Sequence, residues 1–173
     1  AATRASDQGD AAMTAPAKIT PCLWFDFNAE EAVNYYLSIF KNGRVLEVSH
    51  YGDAVPSQKG KVLTMRFEIE GQPLLALNAG PQFPFTEAIS LLINCEDQEE
   101  VDRLWTALTA GGGQEGDCGW LKDRYGLSWQ VTPAALIRAI NAPDQKKVDR
   151  VMAVMMEMKK INVARIEAAA RAG

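Results

Sequence analysis

Histidine occurs once in this chain of 173 residues, at His50, and cysteine three times, at Cys22, Cys95 and Cys118. So few imidazoles and thiols, with no close spacing between them, argue against a built-in zinc site and against a disulfide framework. The odd thiol count fits a reduced, cytoplasmic setting. No apolar run approaches the roughly 20 residues that a membrane span requires. Positive charge is not in excess either: Lys and Arg number 18 against 22 Asp and Glu, for a net charge of -4. A nucleic-acid partner needs a concentrated basic face, and the pairs Lys146-Lys147 and Lys159-Lys160 fall in helical patterns that read as solvated faces. Neither a membrane nor a nucleic acid is therefore expected as a partner. What remains is an ordinary globular composition, 47% apolar and 23% charged.

Within it, two stretches offset by 69 positions, Phe25 against Asn94, follow one pattern. Phe25-Asp26-Phe27-Asn28-Ala29-Glu30-Glu31-Ala32-Val33 leads to Tyr36, and Asn94-Cys95-Glu96-Asp97-Gln98-Glu99-Glu100-Val101 leads to Trp105. In each, a strand-like run ends at a polar cap and an acidic helix start, favoured by the helix dipole, follows. Strands are expected at Ile19–Phe27, Arg44–Tyr51, Val62–Glu70 and Pro73–Asn78, with Asn28 capping a helix that ends near Asn42-Gly43. The same order recurs at Ala88–Asn94, a helix from Asp97 to Ala110, then Gln114–Cys118, Trp120–Asp123 and Leu127–Thr132. Pro133, Asp144 and Asn162 each start a further helix. The methionines at 152, 155, 156 and 158 lie at helical spacing and suit packing against a sheet or a second subunit. The fold class expected is α+β: two paired βαβββ modules forming a half-barrel cavity, with C-terminal helices. The expected divisions are a disordered leader or cloning remnant (1–17), a first module (18–79), a linker (80–87), a second module (88–132) and the C-terminal helices (133–173).

Two βαβββ units in one chain resemble the vicinal oxygen chelate superfamily of glyoxalase I, extradiol dioxygenases and bleomycin-resistance proteins. More narrowly, Cys118-Gly119-Trp120-Leu121-Lys122-Asp123-Arg124-Tyr125-Gly126-Leu127-Ser128-Trp129-Gln130 is similar to the signature of PhnB-like proteins. So is Gly80-Pro81-Gln82-Phe83 followed by Glu87-Ala88-Ile89-Ser90. That group also carries the label 3-demethylubiquinone-9 3-methyltransferase. The sequence has no strand-to-helix G-x-G-x-x-G loop to cradle a nucleotide-like methyl donor.

The resemblance implies four metal-ligand positions, which fall at Pro21, Ala76, Ser90 and Gln130. A one-residue slip at the first would bring in Cys22. Proline and alanine offer no side-chain donor and serine is a poor ligand, so only Gln130 could bind, and no metal and no cofactor are expected. Strand alternation from these positions puts Leu23, Phe25, Asn78, Ser90, Leu92, Ser128 and Gln130 on one cavity face, and the alignment adds Trp120. These are the candidate ligand-binding residues. Asp26 is expected to face away from them, Asp123 to satisfy turn amides, Cys118 to be inert without a nearby base, and Trp24, Tyr35, Tyr36 and Trp129 to pack under helices.

The favoured function is metal-independent binding of a small, partly aromatic or apolar molecule between the modules, by a homodimer joined at exposed sheet edges and the extra helices. Two alternatives stand: a lyase- or isomerase-type enzyme of the superfamily, and a dimeric interaction protein with a filled barrel. No catalytic residue is assigned.

Overall fold

The computed structural model describes residues 15–173, so residues 1–14 of the expected leader lie outside it. The first module opens with strand β1 (Cys22–Phe25) and helix α1 (Ala29–Ile39), followed by β2 (Gly43–His50), β3 (Val62–Ile69) and β4 (Gln72–Asn78). β1 is shorter than the expected Ile19–Phe27. Pro21 has no N–H to give a ladder, although its carbonyl accepts from Leu75 N–H at 3.0 Å. At the other end Phe27 turns left-handed, φ 57°, and stops the strand. Glu70 (φ 47°) and Gly71 (φ 78°) make the two-residue hairpin between β3 and β4, where both positive angles match the strand twist.

Asn28 stands at the start of α1 but its side chain makes no capping bond. The free Ala29 N–H is taken instead by Asn78 Oδ1, 3.0 Å away, from the end of β4. α1 buries Ala29, Ala32, Val33, Tyr36 and Ile39, one stripe at helical spacing.

The second module repeats the order with β5 (Ser90–Cys95), α2 (Gln98–Thr109), β6 (Gln114–Glu115), β7 (Trp120–Lys122) and β8 (Ser128–Pro133). Asp97 caps α2 by accepting from Glu100 N–H at 2.9 Å, and Glu100 returns the contact to Glu96 N–H at 2.7 Å. β6 stops well before the expected Cys118. Beyond it the backbone turns through Cys118 (φ 57°) and Gly119 (φ 85°), whose N–H groups donate to the carbonyls of Met158 and Lys159 instead of to a strand. The strands pair in the orders β1-β4-β3-β2 and β5-β8-β7-β6, with β1–β4 and β5–β8 parallel and the other pairs antiparallel. The result is an α+β protein with two open four-stranded sheets.

Pro133 closes β8 and immediately precedes α3 (Ala134–Ile140), one place earlier than its expected position inside the helix. α4 (Gln145–Met155) and α5 (Val163–Arg171) follow, capped by Asp144 and Asn162. These three helices and the 158–161 segment share a small core of Leu136, Ala139, Val151, Met158, Ile161 and Ile166. Met156 is 69% exposed, so the methionine row is only partly packed. Among the described residues no helix is long and apolar enough to cross a membrane.

The modules pack through their helices. Tyr36 lies between Phe67 of the first sheet, 6.5 Å away, and Trp129 of the second, 5.6 Å away. Phe40 stacks on Trp129 at 5.4 Å. Arg103 of α2 donates to the Ile39 carbonyl at 2.9 Å, pinning the end of α1. One buried cluster therefore runs through both modules.

Candidate functional site

The pairing register decides which side chains share a face. Leu23 is opposite Ala76, and Phe25 opposite Asn78, in the β1–β4 ladder. All four are buried, at 4%, 0%, 2% and 1% exposure, on the side packed by α1. The expected single cavity face therefore does not form: Leu23, Phe25 and Asn78 point to the core, and the open face carries Cys22, Trp24, Leu75 and Leu77. The reason is a one-residue offset. Leu23 and Phe25 do face the same way as Ala76 and Asn78, but the reference positions in both β1 and β4 fall one residue out, on the side that α1 covers. Trp24 accordingly is not under a helix. It is half-buried on the other face, donating through Nε1 to the Gly80 carbonyl at 2.8 Å.

In the second sheet Ser90 pairs with Ser128, and Leu92 and Trp120 both pair with Gln130, so these five share the open face. Gln130 Nε2 donates to Ser90 Oγ at 2.9 Å. Leu92 is 46% exposed and Trp120 half-buried. Ser128 is buried, and among the described residues its hydroxyl has no partner. Trp120 and Ser128 line a small cleft of about 240 Å³ beside the Lys122–Glu87 ion pair.

A larger groove, about 540 Å³, runs between the modules along the free edge of β5. Its apolar lining includes Phe40, Leu74, Leu92, Leu104 and Trp129, with Pro21 and Ser90 also at the wall. Gln72, Glu100 and Arg103 supply polar and charged groups. Of the expected ligand-binding residues, Ser90 and Leu92 lie here. Sequence reasoning missed Phe40, Leu104 and Arg103, which reach the groove only because α1 and α2 dock together. Nothing in strand alternation could point to them.

The four implied ligand positions scatter. Ala76 is sealed under α1, Pro21 and Ser90 line the groove, and Gln130 is bonded to Ser90. This donor set does not suit a divalent ion. Among the described residues no three His, Cys, Asp or Glu side chains are grouped to hold one. His50 ends β2, remote from these positions. Cys95 is buried, and that burial pushes its thiol up to about 12, so it is no nucleophile near neutrality.

Asp123 does more than fill its turn. Its Oδ1 accepts from the N–H groups of Tyr125 (2.9 Å) and Leu127 (3.1 Å), as its place in the turn suggested. Its Oδ2 also accepts from Tyr36 Oη at 2.6 Å, across the module boundary, and from Trp129 Nε1 at 2.9 Å. Burial raises the Asp123 carboxyl above its ordinary range while these four donors pull the other way. Asp26 does not turn away from every cleft. It lines one of about 300 Å³ under the linker.

Two open βαβββ sheets joined through their helices define a protein of the vicinal oxygen chelate type. Residues 17–132 match the family model described as 3-demethylubiquinone-9 3-methyltransferase, and the chain belongs to that PhnB-like family. A solved structure from Bacillus cereus, carrying both the 3-demethylubiquinone-9 3-methyltransferase and PhnB labels, is 35% identical with a TM-score of 0.62. It matches over 68% of this chain and all of its own length. A protein from Pseudomonas aeruginosa is 25% identical over 66% of this chain and 95% of its own, with a TM-score of 0.54. No curated protein sequence matches the chain.

Proposed function

We propose that this chain binds a small, partly aromatic or apolar molecule in the groove between its modules, without a metal ion. The observation that carries the reading is the groove's make-up. An apolar wall of Phe40, Leu74, Leu92 and Leu104 over Trp129 is joined at the rim by a few groups that can orient a ligand, chiefly Gln72 and Arg103. At about 540 Å³ its size is that of ordinary small-molecule sites. Metal independence is supported by the chemistry at Pro21, Ala76, Ser90 and Gln130, where one amide and one hydroxyl already satisfy each other. The methyltransferase label of the relatives is not carried over, since the sequence has no strand-to-helix G-x-G-x-x-G loop for a nucleotide-like donor.

A homodimer belongs to the same proposal. β1 and β5 are edge strands at corresponding places in the two sheets, and unpaired edges invite a further strand.

Screening aromatic metabolites and antibiotics by thermal shift and tryptophan emission is expected to find a saturable ligand whose affinity is unchanged by EDTA. Leu92→Glu, at a site exposed enough to fold normally, should weaken it about tenfold by placing a charge on the apolar wall. Silence across a broad library, or binding that needs a divalent ion, would overturn the proposal.

A further inference from the structure

A second cleft, separate from the groove, lies under the linker that joins the modules. Its volume is about 300 Å³. Trp24, Phe83, Phe85 and Tyr125 surround it, and each is held by a contact outside the cleft or by a neighbouring ring. Trp24 is fixed by its bond to the Gly80 carbonyl. Phe83 meets Trp24 edge-on at 4.9 Å and is 63% exposed, so its ring is open to a ligand. Phe85 packs on Phe25 at 5.4 Å, and Gly126, at φ 86°, shapes the turn that follows Tyr125 at the cleft wall. Tyr125 is oriented by donating its hydroxyl to Glu31 at 2.8 Å.

Polar groups are few in this aromatic wall, chiefly Asp26, Asn28 and the Tyr125 hydroxyl. Asp26 is the only charged residue lining the cleft, and it joins no ion pair among the described residues. Asn28 lines it as well, and its Oδ1, screened from solvent, has no donor among the described residues. An unsatisfied oxygen at that depth costs free energy, and its negative end adds to the field of Asp26. The Asn28 amide is also spared from helix capping, because Asn78 does that work. Elsewhere the molecule's own cations sit over its rings, Lys61 over Phe27 at 5.1 Å and Arg124 over Tyr35 at 4.1 Å. In the linker cleft no lysine or arginine among the described residues occupies that place.

We propose that the linker cleft binds a small organic cation of the alkylammonium class. Ring faces attract such a cation through their quadrupole, and its methyl or methylene groups fit the apolar wall. Asp26 supplies the counter-charge and Asn28 Oδ1 the dipole. A neutral molecule of the same shape gains the burial but neither electrostatic contribution, so discrimination by charge is the signature.

The test uses choline and its uncharged isostere 3,3-dimethylbutan-1-ol, titrated by calorimetry into the full chain. Choline is expected to saturate with a dissociation constant of roughly millimolar order, and the isostere to bind at least about tenfold more weakly. Phe83→Ala should weaken choline about two- to fivefold, and Asp26→Asn by about fivefold with a flattened salt dependence. Both residues are exposed, so unchanged melting temperatures will show that the variants fold. Leu92→Glu, in the other groove, should leave choline binding as it was, which separates this site from the one proposed above. Equal affinity for the two probes, no saturation by about 100 mM choline, or indifference to both substitutions would each overturn the proposal.

Discussion

At the scale of single residues, Asp123 is the least replaceable side chain. Two backbone N–H groups, a phenol and an indole all donate to one carboxylate that is 2% exposed. An aspartate serving only a surface turn would cost about 1 kcal/mol to remove. Here Asp123→Ala strands donors in both modules, since Tyr36 belongs to α1 and Trp129 to β8. The expected loss is roughly 2–4 kcal/mol, read as a lower urea midpoint with an unchanged slope. A loss no larger than that of an exposed turn would show that the two modules are not coupled through this carboxylate. Tyr36→Phe should reproduce only part of the loss, because it removes one donor and leaves the other three bonds in place. Its phenol is held protonated, chiefly by burial and then by the neighbouring Asp123 charge.

At the scale of elements, the two helix starts look alike in sequence but are built differently. Asp97 caps α2 in the local manner its position suggests. α1 has Asn28 at the matching place, yet the bond comes from Asn78 on β4, which also donates to Glu30 Oε1 at 3.0 Å and to the Val62 carbonyl at 3.1 Å. Asn78→Ala should therefore cost about 2 kcal/mol in denaturant unfolding, while Asn28→Ala should cost no more than a few tenths. The reverse ranking would mean that α1 is capped locally. Helix and strand order were legible because hydrophobic periodicity and cap residues are local signals. The face of β1 was not. Alternation tells which side chains go together, not which side they take, and a one-residue error in the reference position sends them all to the opposite side. That is why Leu23, Phe25 and Asn78 were expected on a cavity wall and lie in the core, whereas Ser90, Leu92, Trp120, Ser128 and Gln130 do share a face. Groove residues such as Phe40 and Arg103 could not be read at all, because they meet only when α1 and α2 pack.

At the scale of the whole molecule, the helices have turned inward between the modules, and the question is what covers the opposite faces. Trp24, Leu75 and Leu77 on the first sheet and Leu92 and Trp120 on the second lie on sides that no helix of either module packs. Free strands β1 and β5 border those faces. A second copy that aligned its β5 beside β1 would extend both sheets and bury the apolar side chains together, giving more free energy than pairing of edges alone. We therefore expect sedimentation equilibrium to report twice the chain mass at micromolar concentration. Leu77→Glu and Trp120→Glu should shift it to monomer, since a charge buried in such a joint is costly without a partner. Met156→Glu tests the other route, through the C-terminal helices, where that methionine is 69% exposed. Dissociation by Met156→Glu with no effect of the sheet variants would move the interface to α4. A monomer in the unaltered protein would remove the dimer and leave the sheet faces to some other partner.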